Sequence, residues 1–347
     1  MIGSTAYWLS QSTRVSWYLG QYLLSSRISG PLIPRSQSPS NLPSLRDLLF
    51  DLALLFHRDW QNIRAGQYRM PYDLVEDPRR LVSGVARYLL DLPEVNARRR
   101  RQEFNEVAQQ APQGSQALPR YYLQNFHYQT DGYLSDHSAR LYDQQIEVLF
   151  LGGADAMRRM ALSPLAKFLR GPRVSETRLL DVACGTGRFL TFVKDNFPRL
   201  PIIALDLSRY YLAEARRQLR AWSTVQFVQA LAESMPLPDR AVDVVTCTYL
   251  FHEVPREQRR TIAAEIARVL TPGGRLIFAD SLQMGDRPWL DGLLDMFPKA
   301  FHEPYYADYA GSDLVGLFNE FGLRHVGSDL AFLSKVLTFD KPPTSGL

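Results

Sequence analysis

Two carboxylates set around a glycine-rich turn are the residues here most able to do chemistry. Residues 178–190 read RLLDVACGTGRFL, and residues 201–208 read PIIALDLS. Gly185 and Gly187 permit a tight turn and let backbone amides approach a ligand closely. Asp181 precedes those glycines, where a carboxylate repels a pyrophosphate but binds an ammonium through charge-assisted hydrogen bonds. Asp206 closes the next apolar run, where a carboxylate can accept hydrogen bonds from both hydroxyls of a ribose. Further along, His252 and Glu253 stand side by side. An imidazole there could act as a general base; alternatively His252 caps the following segment or packs under the ligand loop.

The elements that must hold these groups read as an α/β unit. Short β-branched runs at about 178–183, 201–206, 225–229, 242–248, 275–280, 324–331 and 334–339 predict seven strands. Helical patterns near 187–197, 208–221, 256–270 and 312–321 alternate with them. Such alternation predicts a doubly wound sheet, with six parallel strands and one antiparallel strand near the C-terminus. The last two strands, separated only by Phe332 and Leu333, should pair as a hairpin. Asp181, the glycine turn, Asp206 and His252 then all fall at carboxyl ends of strands, where open α/β sheets bind ligands. A dinucleotide enzyme is disfavoured because Leu190 occupies the last glycine position of G-x-G-x-x-G. S-adenosylmethionine, with its ammonium and sulfonium, suits Asp181 better than NAD with its pyrophosphate.

Five ordered blocks, DVACGTG, ALDLS, AESMPLPD, DVVTCTYLFHEVP and RVLTPGGRLIFAD, cover about residues 175–285. They resemble the class I S-adenosylmethionine-dependent methyltransferases of the ubiquinone/menaquinone-methyltransferase-like group. The resemblance implies a Rossmann-like methyltransferase sheet. It also implies that Asp181, Ala183, Gly185 and Gly187 hold the methionine part of the cofactor. Asp206 would bind the ribose, with Leu207 and Ser208 near the adenine. Ala232 would meet the adenine through its backbone, Glu233 would flank that loop, and Tyr249 would lie near the methionine end. Ala183 replaces the more common first glycine. Leu231 stands where the family often has Asp or Asn for the adenine amino group, which leaves Gln229 as a nearby alternative.

Two flanking segments are candidates for contacting the acceptor. Residues 125–143 (NFHYQTDGYLSDHSARLYD) offer His127, Tyr128, Tyr133, His137 and Tyr142 just before the catalytic domain. Related enzymes place a helix there that closes over the cofactor, and a lid of this kind excludes water. Residues 301–309 (FHEPYYADY) offer His302, Glu303, Tyr305 and Tyr306 beyond the fifth strand. Packing is the plain alternative for each of these side chains. Cys184 and Cys247 read as small packing residues.

The first 150 residues read as a mostly helical region, and residues 151–347 as the S-adenosylmethionine-binding domain. Helices are predicted at 45–68 with Ser44 as N-cap, at 76–92, at 94–110 and at 153–170; residues 30–44 read as a linker. The start, with Trp8, Trp17, Tyr18 and Tyr22, reads as a helix docked on its own domain, or alternatively as a surface anchor making peripheral membrane contact. Arg98–Arg101 reads as a solvated helix face.

With 40 basic and 36 acidic residues the net charge is only +4, which does not predict a nucleic-acid binder. Two cysteines suit a reducing compartment and a cytoplasmic protein, and no Cys/His quartet has zinc spacing, so no metal is expected. No apolar run approaches the ~20 residues that span a bilayer. The expected activity is methyl transfer from S-adenosylmethionine to a small or medium, partly apolar acceptor such as a phenol, quinol or isoprenoid-like molecule. The alternatives are an RNA, DNA or protein methyltransferase, and a catalytically silent scaffold that keeps the fold. Against an amino-group methylase, TYLFHE stands where Asn-Pro-Pro-Tyr would follow the fourth strand.

Overall fold

The structure, a computed structural model, describes residues 2–30, 39, 41–74, 78–110, 118–170 and 174–343. Most of the predicted linker 30–44 lies outside the described residues. Seven strands form one sheet: β1 (Leu179–Val182), β2 (Ile202–Asp206), β3 (Val225–Gln229), β4 (Val242–Thr248), β5 (Leu270–Ser281), β6 (Arg324–Ala331) and β7 (Ser334–Asp340). Their order is β3-β2-β1-β4-β5-β7-β6, and β7 alone runs antiparallel to its neighbours β5 and β6. Every residue of β1 is buried, as expected of a central parallel strand covered on both faces. β5 starts five residues earlier than its apolar pattern suggests, because Leu270 already pairs with Val242 before the register shifts.

Thirteen helices of the described residues pack around the sheet. The N-terminal ones are α1 (Ile2–Ser29), α2 (Leu45–Arg64), α3 (Pro78–Arg101), α4 (Glu106–Gln110) and α5 (Asp136–Leu149). Two short helices, α6 (Ala154–Met160) and α7 (Leu162–Phe168), replace the single helix predicted at 153–170. Next come α8 (Arg188–Asn196), α9 (Arg209–Gln218) and α10 (Arg256–Val269), the crossover helices of the parallel strands. The last three are α11 (Asp291–Phe301), α12 (Tyr306–Ala310) and α13 (Leu314–Glu320). Ser44 does cap α2, in a reciprocal capping box with Asp47. The two helices predicted around residue 93 are instead one, α3, which runs through Pro93. Proline costs a helix its i→i−4 bond, but Pro93 is exposed, and Leu92, Val95 and Asn96 are buried on the other side and hold the helix together.

The N-terminal helices are not a separate body. One apolar cluster joins Tyr7 of α1 and Leu52 and Phe56 of α2 to Leu162, Phe192, and Val244 and Ile277 of the sheet. Helix α1 is docked, with Tyr7 and Tyr18 buried, although Leu9, Trp17, Leu24 and Ile28 stay exposed along its outer side. Among the described residues no helix is long and apolar enough to cross a membrane. The arginine run is only half a solvated face. Arg98 is buried, bonded to Glu106 at 2.5 Å and Thr130 at 3.0 Å, and Arg99 stacks over Tyr128 and Phe301. Cys184 and Cys247 are buried and free, and burial pushes both thiols up.

A charged group pins α1 and α2 to α6. Asp59 of α2 has no exposed surface. Its carboxylate accepts Arg159 Nη2 at 2.6 Å and Nε at 3.1 Å, Tyr7 Oη at 2.6 Å and Tyr68 Oη at 2.7 Å. Breaking such a pair leaves an unanswered buried charge. Asp59→Ala should therefore lower stability by about 3–5 kcal/mol. The double variant Asp59→Ala/Arg159→Met should recover part of that loss, as urea unfolding of the three proteins would show.

Candidate functional site

Beyond β1 the chain must turn sharply, and Ala183, Gly185 and Gly187 all take left-handed backbone (φ 57°, 55° and 76°). The two glycines do different work. A Cβ on Gly187 would press on Leu219 Cδ1 at 3.0 Å and Ala215 Cβ at 3.1 Å, so Gly187 lets α8 approach α9 and does not reach the ligand cavity. A Cβ on Gly185 would meet nothing within 4 Å, because Gly185 faces the cavity at the carboxyl ends of β1, β2 and β4.

That cavity holds about 810 Å3, counting its mouth. Its floor is Ala183, Gly185, Asp206, Leu207, Ser208, Ala232, Glu233 and Tyr249. Asp206 accepts Gly185 N at 2.8 Å on one oxygen and Ser208 N at 2.8 Å on the other. Burial nevertheless pushes its carboxyl up to about 6, against the pull of those amides. Tyr249 sits in left-handed backbone (φ 57°), its hydroxyl 2.9 Å from Ser334 Oγ. Asp181 does not line the cavity. It lies wholly buried behind the turn, one oxygen accepting Thr246 Oγ1 at 2.6 Å and the other without a partner. Burial pushes it up to about 7, with Asp206 adding to the rise.

The roof comes from the N-terminal region: Tyr121, Tyr122, Phe126, Tyr133 and Tyr142, with Tyr211 of α9. Ser208 ties roof to floor. It caps α9 by accepting Tyr211 N, and its hydroxyl donates to the Tyr133 carbonyl at 2.6 Å. Tyr121 likewise hydrogen-bonds to Glu233. A second cavity, of about 820 Å3 with its mouth, lies between α1, α3 and α5. Tyr142 walls both cavities, and the second one is lined by Tyr22, Tyr88, Leu92, His127 and Phe301 among others.

His252 and Glu253, in a short 3-10 turn after β4, prove unequal. The His252 ring packs against Tyr306 and Tyr309, and its Nδ1 meets Asp280 Oδ1 at 2.5 Å. Burial opposes its charge, but the Asp280 carboxylate dominates and holds it up at about 10. His252 is thus an imidazolium set behind the wall. Glu253 lines the cavity and accepts Tyr133 Oη at 2.6 Å. Burial pushes it up to about 7; His252 pulls it down and Glu303 adds to the rise.

The other candidates divide as well. His127 and Glu303 meet at 2.9 Å, and with Glu253 they place one ligand atom each within 4.8 Å of one another, a set able to hold a metal ion. His137 is half exposed beside Asp91 and stands apart from both cavities. His302 stacks on Phe104 and bonds Gln124, which also bonds Tyr305; neither His302 nor Tyr305 lines the two cavities. Tyr306 is buried behind His252 with its hydroxyl on Ser281. Tyr128 underlies Arg99. Gln229 spends its amide on the Leu207 carbonyl at 3.1 Å and is not on the cavity wall. Sequence reasoning missed Tyr121, Tyr122, Phe126 and Tyr211 as wall residues. The aromatic density of 121–128 and the Tyr pair just after the Ser208 cap were the available signals.

Residues 179–274 match the family model described as a methyltransferase domain. The chain is 32% identical over 211 residues to the ubiquinone/menaquinone biosynthesis C-methyltransferase UbiE of Syntrophotalea carbinolica, covering 56% of this chain and 85% of that one. The chain belongs to the class I S-adenosylmethionine-dependent methyltransferases of the UbiE-like group. It is also 35% identical over 162 residues to UbiE of Methylobacterium nodulans (46% of this chain, 62% of the relative). A demethylmenaquinone methyltransferase of Deinococcus radiodurans is 35% identical over 140 residues (40% and 55%). The chain thus spans little more than half the length of these last two relatives.

The family's cofactor, S-adenosylmethionine, suits the groups present. The Gly185 face is open, Asp206 lines the cavity with one amide on each oxygen and so can still accept ribose hydroxyls, and Asp181 retains an unanswered buried oxygen behind the turn. Removing the ribose acceptor by Asp206→Ala should weaken cofactor binding by roughly 1.5–3 kcal/mol in a calorimetric titration. A pH dependence follows too. Both carboxyls are raised, so the free protein holds protons that a cationic, hydroxyl-rich ligand displaces. Affinity should rise with pH through the window of about 6 to about 7 and then level off. Below it, each protonating carboxyl costs about 1.36 kcal/mol per pH unit. A flat profile from pH 5 to 8 would show that neither carboxylate senses the ligand.

Proposed function

We propose that this chain transfers the methyl group of S-adenosylmethionine to a small or medium, partly apolar acceptor of the phenol, quinol or isoprenoid-like class. The observation that carries the reading is the pair of cavities on either side of Tyr142: a polar cradle with Asp206 in its floor, and an aromatic-lined space beyond it. The quinol class draws support from the names of the relatives, which are ubiquinone, menaquinone and demethylmenaquinone methyltransferases.

When bound, the cofactor supplies an electrophilic methyl carbon on sulfur. The acceptor's electron pair forms the new bond to that carbon, the carbon–sulfur pair stays on sulfur, and the acceptor gives up a proton. The chain's own contribution is alignment and exclusion of water. The aromatic roof, held down by Ser208 and Glu233, closes over the reacting groups. Glu253, steadied by the Tyr133 hydroxyl, is the carboxylate that faces the acceptor. His252 works through it as a positioning residue, its ring fixed by Asp280.

Calorimetry with S-adenosylmethionine, S-adenosylhomocysteine and NAD in parallel tests the cofactor. Binding of the two adenosyl compounds without NAD is expected. No adenosyl binding by folded protein would favour a silent scaffold. Transfer of labelled methyl to phenols and quinols then tests the acceptor. Glu253→Gln should keep cofactor affinity within about twofold while turnover falls at least tenfold, in the range lost with a positioned acid–base group. Turnover that survives this change would remove Glu253 from the mechanism.

A further inference from the structure

Among the buried acids of this chain, Glu303 is the least answered. Its side chain has no exposed surface; Oε1 meets an imidazole, and Oε2 has no hydrogen-bond partner. Among the described residues its one ion pair is with His127 Nε2, at 2.9 Å. Glu253 lies close by, one oxygen taken by the Tyr133 hydroxyl. The three residues come from separate segments: the 3-10 turn Phe126–Tyr128, the 3-10 turn Phe251–Glu253, and the link between α11 and α12. Two of those segments hold strained backbone, with His127 at φ 55° and His302 at φ 46°. Non-glycine residues stay in that region only where their surroundings impose it.

Three acids, Glu253, Asp280 and Glu303, are clustered here with two imidazoles, His127 and His252. His252 and Asp280 neutralise each other. An imidazolium at His127 would answer one of the two remaining carboxylates and leave the other. With His127 as a neutral imidazole ligand, Glu253 and Glu303 together carry the charge that one dication cancels.

We propose that His127, Glu253 and Glu303 bind a divalent transition-metal ion at the seam between the two cavities. Glu253 lines the first cavity and His127 the second, so open coordination positions face both. An acceptor oxygen is the natural further ligand, held beside the methyl donor; this consequence rests on the methyl-transfer reading above. One imidazole and two carboxylates suit Zn2+, Fe2+ or Mn2+ better than Ca2+ or Mg2+, which prefer all-oxygen shells. Metal–ligand bonds of about 2.0–2.2 Å place ligand atoms about 3–3.6 Å apart, so atoms now within 4.8 Å of one another must draw in by about 1–2 Å at most. The Tyr133 hydroxyl on Glu253 orients a ligand in the way that hydrogen bonds commonly do around metal sites.

The test is titration of chelator-treated full-length protein with Co2+, followed by absorption, and Mn2+, followed by paramagnetic resonance. S-adenosylmethionine binding is measured on the same samples. Saturation at one ion per chain is expected. His127→Gln and Glu303→Gln should each weaken metal binding by about tenfold or more, with cofactor affinity and circular dichroism unchanged. No saturable binding of Co2+, Mn2+ or Zn2+ by folded protein, or equal affinity in both variants, would overturn the proposal. If a variant fails to fold, X-ray absorption of zinc-loaded wild-type protein decides instead. One nitrogen and two carboxylate ligands support the site; any other set rejects it. Cofactor binding without metal binding would sink this proposal alone, whereas metal binding without cofactor binding would sink the methyl-transfer reading and leave the site standing.

Discussion

A carboxylate removed from water must be answered by donors or cations, and much of this structure follows from how each buried acid is answered. Asp59 is answered completely, by a bidentate arginine and two tyrosine hydroxyls, and it locks the helical layer in place. Asp280 is answered by the Phe251 amide, the Ser281 amide and His252, and it fixes the turn after β4. Asp206 is answered by two amides from the loops it separates. Asp181 and Glu303 are answered less fully, as are Asp51 and Glu147, each of which keeps a buried carboxylate oxygen without a hydrogen-bond partner; Asp181 lies behind the glycine turn and Glu303 beside His127. The fully satisfied acids are joints of the fold.

The helical region earns its length through the roof. A bare doubly wound sheet leaves its ligand crevice open to solvent. Here residues 121–142 lie across that crevice, tied by Ser208 to the β2 turn and by Tyr121 to Glu233. Helices α1 and α2 hold the layer from below through a core shared with β1, β4 and β5. Roof and floor are therefore one packed object, although the roof comes from the helical region and the floor from the sheet.

The sheet and the cofactor floor were legible in the sequence because their signals are local. Apolar runs marked the strands, glycines marked the turn, and Asp206 followed at a fixed interval. The same reasoning misassigned Gly187, whose role appears only once α9 lies against it. It split α3 at Pro93 because local propensity carries no knowledge of the packed face that overrides it. It could not join His127 to Glu303, which are distant in sequence, nor foresee that Asp280 would turn His252 away from the cavity. Nor did spacing rules for metal sites apply, since the three candidate ligands share no motif.

The electrostatics of the site bear on why it should hold a cation at all. Tyr133, Tyr142 and Tyr211 are all pushed up by burial and remain neutral, so they cannot offset charge in the cavity. Carboxylate charge on Glu253, which lines the cavity, would grip a sulfonium in the ground state. The sulfonium's charge is dispersed as the methyl moves, so that grip would weaken toward the transition state and slow the reaction. A dication on Glu253, Glu303 and His127 would remove the competing attraction. The sulfonium's positive charge is then available to the acceptor's electron pair, in surroundings dry enough for that attraction to count. On this reasoning the unsatisfied Glu303 and the water-excluding roof are parts of one arrangement, since a closed roof over unbalanced acids would hinder the reaction that the closed roof otherwise favours.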